Sequence, residues 1–558
     1  MKVVVNRFTL CILFLLVLSV EEMAGQIKFE GRALLAGRSM GSPAMDYLLP
    51  PPDPFELEAA GLENLGSAKK SVRFAIVRDL DISPLNGGEW TVVDGTAVWR
   101  VRLISPGAYA LGLNFSDFRL APGSRLFIYD GTGASISGAF DHRNNRPGGI
   151  FTSAPLPGDE VIVELQSPAG RNDFGSLTIE SLSHAFLPVP TGFEKDGRFA
   201  KSGACEIDIN CTEGDDWQTI KRSVCRIYTT REYCTGVLVN NTSYDGKPYV
   251  LTAEHCVNTE YYANRTVFVF NYESPVCFGG DGSVAQSVSG ATLVATGDSL
   301  DFSLLLLQDT IPDSYSPYLA GWDLSSAPPA SSRAVHHPQG DVKKISGDYN
   351  PATVPTSVPS DLNDYIISSM WRIYEWDFGS TEGGSSGSPL FNMSKKLVGT
   401  LTGGLAYCGD SIGYDALNDR VIYNLSVNRN DFYTRISYVW DHYTDPAKQL
   451  RKWLDPLNTG ATSVGGFNPL NHTGLSSVTA GRLPVYPNPA QDLIRLDLES
   501  FPGNLKIIIT DLSGRQVYSG NHSAPIAEID ISDLQPGLYL ISGHSDTRRF
   551  CSSFVIAR

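Results

Sequence analysis

The stretch TEGGSSGSPLF, residues 381–391, decides how the middle of this chain folds. It places a glycine-flanked serine, Ser386, directly before an apolar run that is typical of a β-strand. The glycines allow a tight backbone turn, so we expect the N–H groups of Gly384 and Ser386 to converge on a developing oxyanion. A serine presented in this way suits nucleophilic acyl transfer, provided that a base activates its hydroxyl group.

Two earlier stretches supply the groups that such a serine needs. In YVLTAEHC, residues 249–256, an apolar strand ends at Thr-Ala and leads to His255. In DFSLLLL, residues 301–307, Asp301 opens a buried strand. A histidine can take the serine proton and return it to the leaving amine, while a buried carboxylate orients the imidazole. The chain order His255, Asp301, Ser386 therefore predicts a catalytic triad.

The acid and the nucleophile each have alternatives. Asp298 is a rival acid, but no apolar strand follows it directly. Ser385 and Ser388 are rival nucleophiles, but neither has glycines placed to build the oxyanion turn. Each motif alone also has a purely structural interpretation, so the prediction depends on all three occurring in this order.

The composition indicates a globular, β-rich protein. The chain has 558 residues, too many for one core, with 42% hydrophobic and only 19% charged residues. Its 53 glycines and 34 prolines separate many short runs of Val, Ile, Tyr and Phe, which favours an all-β fold. A net charge of −16 disfavours nucleic acid as a partner.

The N-terminus is typical of a signal peptide, which we place at residues 1–25. Lys2 and Arg7 supply positive charge before an apolar run at residues 8–20. This run is too short to span a bilayer comfortably. No later stretch is long and apolar enough to cross a membrane. The sequence thus predicts an exported protein without a membrane span.

The cysteines agree with export. Of the eight that follow the signal peptide, seven lie between Cys205 and Cys408 and the eighth is Cys551. Such clustering in an exported protein indicates disulfides. Paired C-x2-C spacing and HExxH are both missing from the sequence, so we expect no metal site and no cofactor.

The chain divides into blocks of different character. Residues 26–201 lack cysteine and contain strand-like runs, which predicts a β-sandwich-like domain. Residues 202–466 hold the cysteine cluster and all three motifs. A linker is expected at 467–482, and the short alternating strands of 483–558 suit a small Ig-like β-sandwich.

The block 202–466 resembles the lysyl endopeptidases, which are secreted, trypsin-like bacterial serine proteases. The matching runs are SGACEID (202–208), CTGVLVNNT (234–242), YVLTAEHC (249–256), DFSLLLL (301–307), AVHHPQGDVKKIS (334–346), TEGGSSGSPLF (381–391), NRNDFYTRI (428–436) and KWLDPLNTGA (452–461). The resemblance implies a chymotrypsin-like double β-barrel with the site between the barrels, and it gives the same triad as the residues do.

The resemblance also implies three disulfides. They are Cys205–Cys408, Cys211–Cys277 and Cys234–Cys256, which leaves Cys225 as an odd thiol. From the residues alone the connectivity stays open, because seven cysteines allow many pairings.

The substrate pocket is expected to carry one acid. Trypsins keep theirs six residues before the nucleophile, where this chain has the uncharged Ser380. The resemblance instead implies Asp431, with Thr402 and Gly403 also at the pocket. The best-known members have a histidine at the position of Thr402, stacked on a tryptophan for which this sequence offers no clear counterpart. Arginine therefore stays open as a substrate residue beside lysine.

Activation is expected to differ from that of trypsins. They have an aspartate at the position of Ser385, which pairs with the new N-terminus, and a serine cannot form that ion pair. We expect activation by removal of residues 26–201, an inhibitory or folding-assisting propeptide. Lys195, Arg198 and Lys201 near its end suit self-processing.

The last block resembles the C-terminal sorting domain of the type IX secretion system of Bacteroidetes. The matching runs are VYPNPAQD (485–492), DLSGRQVYSG (511–520) and DLQPGLYLI (533–541). The resemblance implies a contact with secretion machinery. A β-sandwich that binds carbohydrate or protein is the alternative.

The sequence thus predicts an extracellular or cell-surface serine endopeptidase. It would hydrolyse protein or peptide substrates after lysine, with arginine as a further candidate. The alternative is a non-catalytic surface protein that retains the protease fold for binding. An intact triad with its oxyanion glycines favours the enzyme, since a binding module needs none of these groups.

Overall fold

The computed structural model divides into two compact units, Met1–Pro469 and Leu470–Arg558. It describes residues 26–38, 46–64, 67–168, 173–189, 202–408, 411–415, 420–423, 430–472, 485–498, 505–511, 515–523, 526–544 and 549–558. The expected signal peptide and the expected processing residues Lys195, Arg198 and Lys201 lie outside them. Within the described ranges, no helix has the length and apolar character needed to cross a membrane.

The N-terminal part of the first unit consists of β-strands and a short helix. They are β1 (Asp46–Leu48), α1 (Pro54–Glu63), β2 (Val72–Arg73), β3 (Ala75–Ile82), β4 (Glu89–Val93), β5 (Thr96–Ile104), β6 (Ala110–Leu120), β7 (Arg125–Asp130), β8 (Ile136–Phe140), β9 (Phe151–Thr152), β10 (Leu156–Pro157), β11 (Glu160–Pro168) and β12 (Gly175–Ala185). Helix α1 begins where Asp53 caps it, accepting a hydrogen bond from the N–H of Phe55.

Two sheets of this part share one core. One sheet has the order β1-β5-β11-β7-β8, with β4 beside β5, and the other has the order β10-β6-β12-β3, with β9 beside β6. Trp99, Leu165 and Phe115 come from both sheets and are fully buried in the same hydrophobic cluster. Strand β2 is the exception, because it pairs with a strand of the middle block.

The middle block is also built of strands. They are β13 (Ile207–Asp208), β14 (Val224–Tyr228), β15 (Glu232–Val239), β16 (Tyr249–Thr252), β17 (Val267–Phe270), β18 (Ser287–Ser289), β19 (Ala291–Gly297), β20 (Phe302–Leu307), β21 (Trp322–Asp323), β22 (Ser332–His336), β23 (Lys344–Asp348), β24 (Met370–Ile373), β25 (Pro389–Asn392), β26 (Leu397–Gly404), β27 (Ser411–Asp415), β28 (Arg420–Tyr423), β29 (Asp431–Arg435) and β30 (Ser463–Val464). Its short helices are α2 (Glu260–Arg265), α3 (Ile436–Val439) and α4 (Arg451–Leu454).

Two large sheets organise this block. The first has the order β18-β17-β14-β15-β16-β20-β19, and β2 joins its edge at β15. The second has the order β13-β23-β22-β25-β26-β21-β30, with β29 pairing both β26 and β24. The apolar runs 249–252 and 302–307 are central strands because both of their faces are covered. The expected all-β class is confirmed.

Disulfides join distant parts of the middle block. The pairs present are Cys205–Cys408, Cys211–Cys277 and Cys234–Cys256. Cys225 is a free, buried cysteine. Burial raises the pKa of its thiol to about 12, so it stays protonated and unreactive.

The second unit has its own core. Its strands are β31 (Val485–Tyr486), β32 (Leu493–Asp497), β33 (Leu505–Thr510), β34 (Gln516–His522), β35 (Ile526–Asp530), β36 (Gly537–His544) and β37 (Arg549–Ile556). They form two sheets, ordered β31-β32-β35 and β34-β33-β36-β37. Ile494, Ile507 and Phe554 from both sheets are buried in one cluster, as a β-sandwich requires.

Candidate active site

Strand register brings the predicted acid and base together. Strands β16 and β20 are antiparallel neighbours in which Thr252 lies opposite Ser303. His255 follows Thr252 by three residues, and Asp301 precedes Ser303 by two. Both side chains therefore lie at the same end of this pair of strands. Nδ1 of His255 lies 2.9 Å from Oδ1 and 3.1 Å from Oδ2 of Asp301. The Asp301 side chain is fully buried.

Ser386 reaches the same point from the second sheet. It lies within the turn at residues 385–388 that leads into β25, and its Oγ lies 2.7 Å from Nε2 of His255. Gly384 has φ +91° and Gly387 has φ +77°, values that favour glycine. A Cβ at Gly384 would also lie 2.7 Å from the carbonyl oxygen of His337. The structure thus brings His255, Asp301 and Ser386 into one hydrogen-bonded row.

The electrostatics of this row suit a general base. Burial lowers the pKa of His255, but the charge of Asp301 and the hydrogen bond to it outweigh burial, so the net pKa lies above the ordinary value. Because the carboxylate accepts from Nδ1–H, Nε2 is left free to accept the Ser386 proton. The rival acid Asp298 is not part of this row; its Oδ1 accepts from the N–H of Ser299.

A lysine of the N-terminal block occupies the predicted oxyanion site. The backbone N–H groups of Gly384 and Ser386 both donate to the carbonyl oxygen of Lys70, the latter at 3.1 Å. This oxygen stands in the position that the oxygen of a scissile carbonyl would take. The two N–H groups therefore converge on one carbonyl oxygen, and their role as an oxyanion hole stays a prediction.

The chain around Lys70 runs along the site in an extended form. The N–H of Gly404 donates to the carbonyl oxygen of Ala68 at 2.7 Å, and Lys69 forms an antiparallel bridge with Gly403. Gly403 accepts this close approach because it has no Cβ; a Cβ there would lie 2.2 Å from the Ala68 oxygen.

The Lys70 side chain lies in a buried pocket. Its Nζ donates to the carbonyl oxygens of Thr381, at 3.2 Å, and of Ala406. Burial lowers the pKa of Lys70, and the charges of Asp431, Glu382 and Glu206 oppose that effect. The acidic groups around the buried Lys70 side chain therefore favour its charged form.

Asp431 is fixed at this pocket. Its Oδ2 accepts from Nε1 of Trp376 at 2.7 Å and from Oγ1 of Thr381 at 2.6 Å. Burial raises the pKa of Asp431, whereas the Lys70 ammonium and the two donors lower it. Asn428 and Arg429 of the same sequence run lie outside the described residues.

Two other sequence-predicted positions have neutral partners. Thr402 is buried, and its Oγ1 lies 3.0 Å from Oγ1 of Thr434. Ser385 Oγ lies 2.9 Å from Nδ1 of His336, whose Nε2 lies 2.9 Å from Ser346 Oγ. Burial lowers the pKa of His336 to about 3, so this row is uncharged where trypsins have an aspartate.

Sequence reasoning missed Lys70 and Trp376. The processing residues predicted from the sequence all lie near the end of the N-terminal block, although Lys69-Lys70 is also a visible basic pair. Trp376 lies 55 residues before Asp431, and no local pattern connects the two.

Residues 199–419 match the family model of the lysyl endopeptidase C-terminal domain. Residues 484–557 match the model of the secretion system C-terminal sorting domain. Both resemblances stated from the sequence are thereby confirmed. The second match also confirms the prediction of a secreted or cell-surface protein.

Relatives match part of the chain. A lysyl endopeptidase of Pseudomonas aeruginosa is 29% identical over 311 residues, which are 52% of this chain and 64% of that protein. Secreted RxLR effector protein 73 of Plasmopara viticola is 24% identical over 284 residues, 46% of this chain and 65% of that protein. The chain thus spans less than two thirds of the length of either relative.

Among solved structures, a Glu endopeptidase in complex with MPD is 13% identical with a TM-score of 0.23, over 38% of this chain and 85% of that chain.

Proposed function

We propose that this protein is an extracellular serine endopeptidase that hydrolyses peptide bonds after lysine. The observation that carries the proposal is the Lys70 residue, whose carbonyl oxygen accepts from Gly384 and Ser386 while its ammonium lies in the pocket at Asp431. The carbonyl oxygen of Lys70 thus accepts from the two proposed oxyanion donors, while its side chain fills the pocket.

The proposed mechanism follows from the hydrogen-bonded row. Ser386 Oγ attacks the carbonyl carbon after the substrate lysine, and His255 Nε2 takes its proton over 2.7 Å. Asp301 stabilises the imidazolium that forms. The Gly384 and Ser386 N–H groups stabilise the oxyanion, each donor being worth about a hundredfold to a thousandfold in rate. His255 then protonates the leaving amine, and water hydrolyses the acyl-enzyme by the same route.

The preference for lysine is supported by the chemistry of the pocket. An ammonium is compact and has three donors, which match the carbonyl oxygens of Thr381 and Ala406 and the charge of Asp431. Arginine presents a larger planar fork, so we expect it to be cleaved more slowly than lysine.

Mapping the cleavage sites in a mixed-peptide library tests the proposal. The enzyme should first be freed of its N-terminal block. We expect cuts after lysine, and Ser386→Ala should lower kcat by about a millionfold while the fold is kept. Fluorophosphonate labelling of Ser386 separates the outcomes: labelling without cuts after lysine would contradict the specificity, and failure to label would favour a non-catalytic binding protein.

A further inference from the structure

The segment Ser67–Arg73 lies across the active site as a bound substrate would. Lys70 provides the residue before the bond to be cut, and Ser71 the residue after it. We propose that this segment is the enzyme's own inhibitor and that the Lys70–Ser71 peptide bond is a self-cleavage site. The proposal rests on the proposed function, and it assigns a bond far from the expected processing residues Lys195, Arg198 and Lys201.

The residues that precede the Lys70–Ser71 bond are bound at the second sheet. In addition to the bonds from β26, the N–H of Ala68 donates to Oδ2 of Asp361 at 2.5 Å. Ala68 is buried in a cluster with Leu362, Met370 and Phe432. These contacts fix the direction in which the chain enters the site.

The residues that follow the Lys70–Ser71 bond are bound by the first sheet. Strand β2 pairs with β15, Val72 lying opposite Tyr233 and Arg73 opposite Glu232. The N–H of Phe74 donates to the carbonyl oxygen of Arg231 at 2.8 Å, and the Phe74 ring stacks on Tyr233 with centroids 4.3 Å apart. Both sides of the bond are therefore bound, which fixes the Lys70 carbonyl beside Ser386.

A clamp within the N-terminal block spans the bond. Nδ2 of Asn64 donates to the carbonyl oxygen of Arg73, and the N–H of Arg73 donates to Oδ1 of Asn64, each at 2.8 Å. Glu63 also pairs with Arg73 at 2.6 Å. Residues 63 and 64 precede the bond and Arg73 follows it, so cleavage does not separate the new ends.

The sheets of the N-terminal block strengthen this clamp. Strand β1, before the bond, pairs with β5, and β3, after the bond, pairs with β12. The amine released by cleavage stays beside the acyl-enzyme, where it can attack it again and restore the bond. Inhibition therefore outlasts the first cut, and it persists for as long as these contacts hold the cut ends in place.

The reaction at the segment is an ordinary peptide hydrolysis. Ser386 Oγ forms an ester with the Lys70 carbonyl carbon, its proton passes through His255 to the Ser71 nitrogen, and the Lys70–Ser71 bond breaks. Water then splits the ester, leaving a carboxylate on Lys70, an amine on Ser71 and a free Ser386. No other reactant is required.

N-terminal sequencing and intact-mass analysis of the freshly folded full chain test the cleavage. We expect a fragment that begins at Ser71 in the wild type, formed at a rate independent of protein concentration. Ser386→Ala should not form it, even with a trace of active enzyme, because its own site covers the bond. Lys70→Ala should not form it either, whereas Lys69→Ala, the matched control, should behave as the wild type.

Fluorophosphonate labelling of the full chain tests the inhibition. We expect slow labelling of Ser386 in the wild type and in Lys69→Ala. Lys70→Ala removes the buried ammonium, so its labelling should be faster by about a hundredfold. Asn64→Ala should release the cut ends and also label faster. Unchanged thermal unfolding temperatures would show that these variants are folded. The self-cleavage itself is tested by the wild-type fragment that begins at Ser71, which requires no variant.

The outcomes separate this proposal from the proposed function. If the freed enzyme cleaves lysyl peptides but the full chain never yields an end at Ser71, the self-cleavage site is wrong and the function stands. Equal labelling rates in wild type and Lys70→Ala would overturn the inhibitory role. If the freed enzyme cleaves no peptide at all, the proposed function itself fails.

Discussion

At the scale of single residues, Asp431 is the acid with the largest charge effect on the Lys70 ammonium, ahead of Glu382 and Glu206. Asp431→Asn keeps the shape of the side chain and removes the partner of a buried ammonium, which commonly costs about 3–5 kcal/mol. We expect kcat/KM for lysyl substrates to fall by about a hundredfold to several thousandfold. Substrates with leucine before the bond should change far less, because Ser386 and His255 are untouched.

Asp377→Asn is the matched control, because it removes one carboxylate charge from a neighbouring part of the chain. Asp377 is exposed and adjoins Trp376, so Asp377→Asn should leave the selectivity unchanged. Steady-state assays on lysyl, arginyl and leucyl peptides compare the wild type with both variants. Equal losses on the three substrates would mean that Asp431 supports the fold and does not select the substrate.

His255 sets the pH dependence at the same scale. Only the neutral imidazole can accept the Ser386 proton, so activity is present above its pKa and is lost as pH falls through it. Burial lowers this pKa but Asp301 raises it more, so the acid limb of kcat/KM should have its midpoint above about 6.5. A pH profile of the freed enzyme measures it, and a profile that stays flat down to about pH 4 would exclude a histidine base.

At the scale of elements, β26 binds the chain around Lys69 through Gly403 and Gly404, and we expect it to bind a substrate backbone in the same way. Gly403→Ala would put a Cβ 2.2 Å from the Ala68 oxygen, where an extended substrate must pass. We expect a lower kcat/KM for peptides that extend three residues before the cut bond. Esters of a single lysine do not reach this edge, so their hydrolysis should be nearly unchanged. An equal loss on both would place the defect in the fold of β26.

Strand patterns made the row of His255, Asp301 and Ser386 predictable. Each residue adjoins a buried apolar run, and antiparallel pairing of two such runs brings their ends together. The occupant of the pocket could not be predicted in this way. Lys70 contacts Thr381 across 311 residues of sequence, and nothing local distinguishes it from Lys69. Its position depends on the packing of the N-terminal block, which no strand pattern encodes.

At the scale of the whole molecule, the candidate site and the match to the sorting domain lie in different units. The first contains the site and the segment that fills it, whereas residues 470–558 form a unit with a core of their own. None of the groups described at the site comes from the second unit. We therefore expect a sorting function of residues 484–557 to be separable from the proposed catalysis.

Truncation after Pro469 tests this separation in the native host. We expect the shortened chain, once freed of its N-terminal block, to cleave lysyl peptides at the wild-type rate. In cells it should stay inside, because the sorting domain is the part that the secretion machinery would recognise. Full-length Ser386→Ala is the complementary control, exported but inactive. Cell fractionation with peptide assays measures both properties, and export of the truncated chain at wild-type levels would contradict the sorting role.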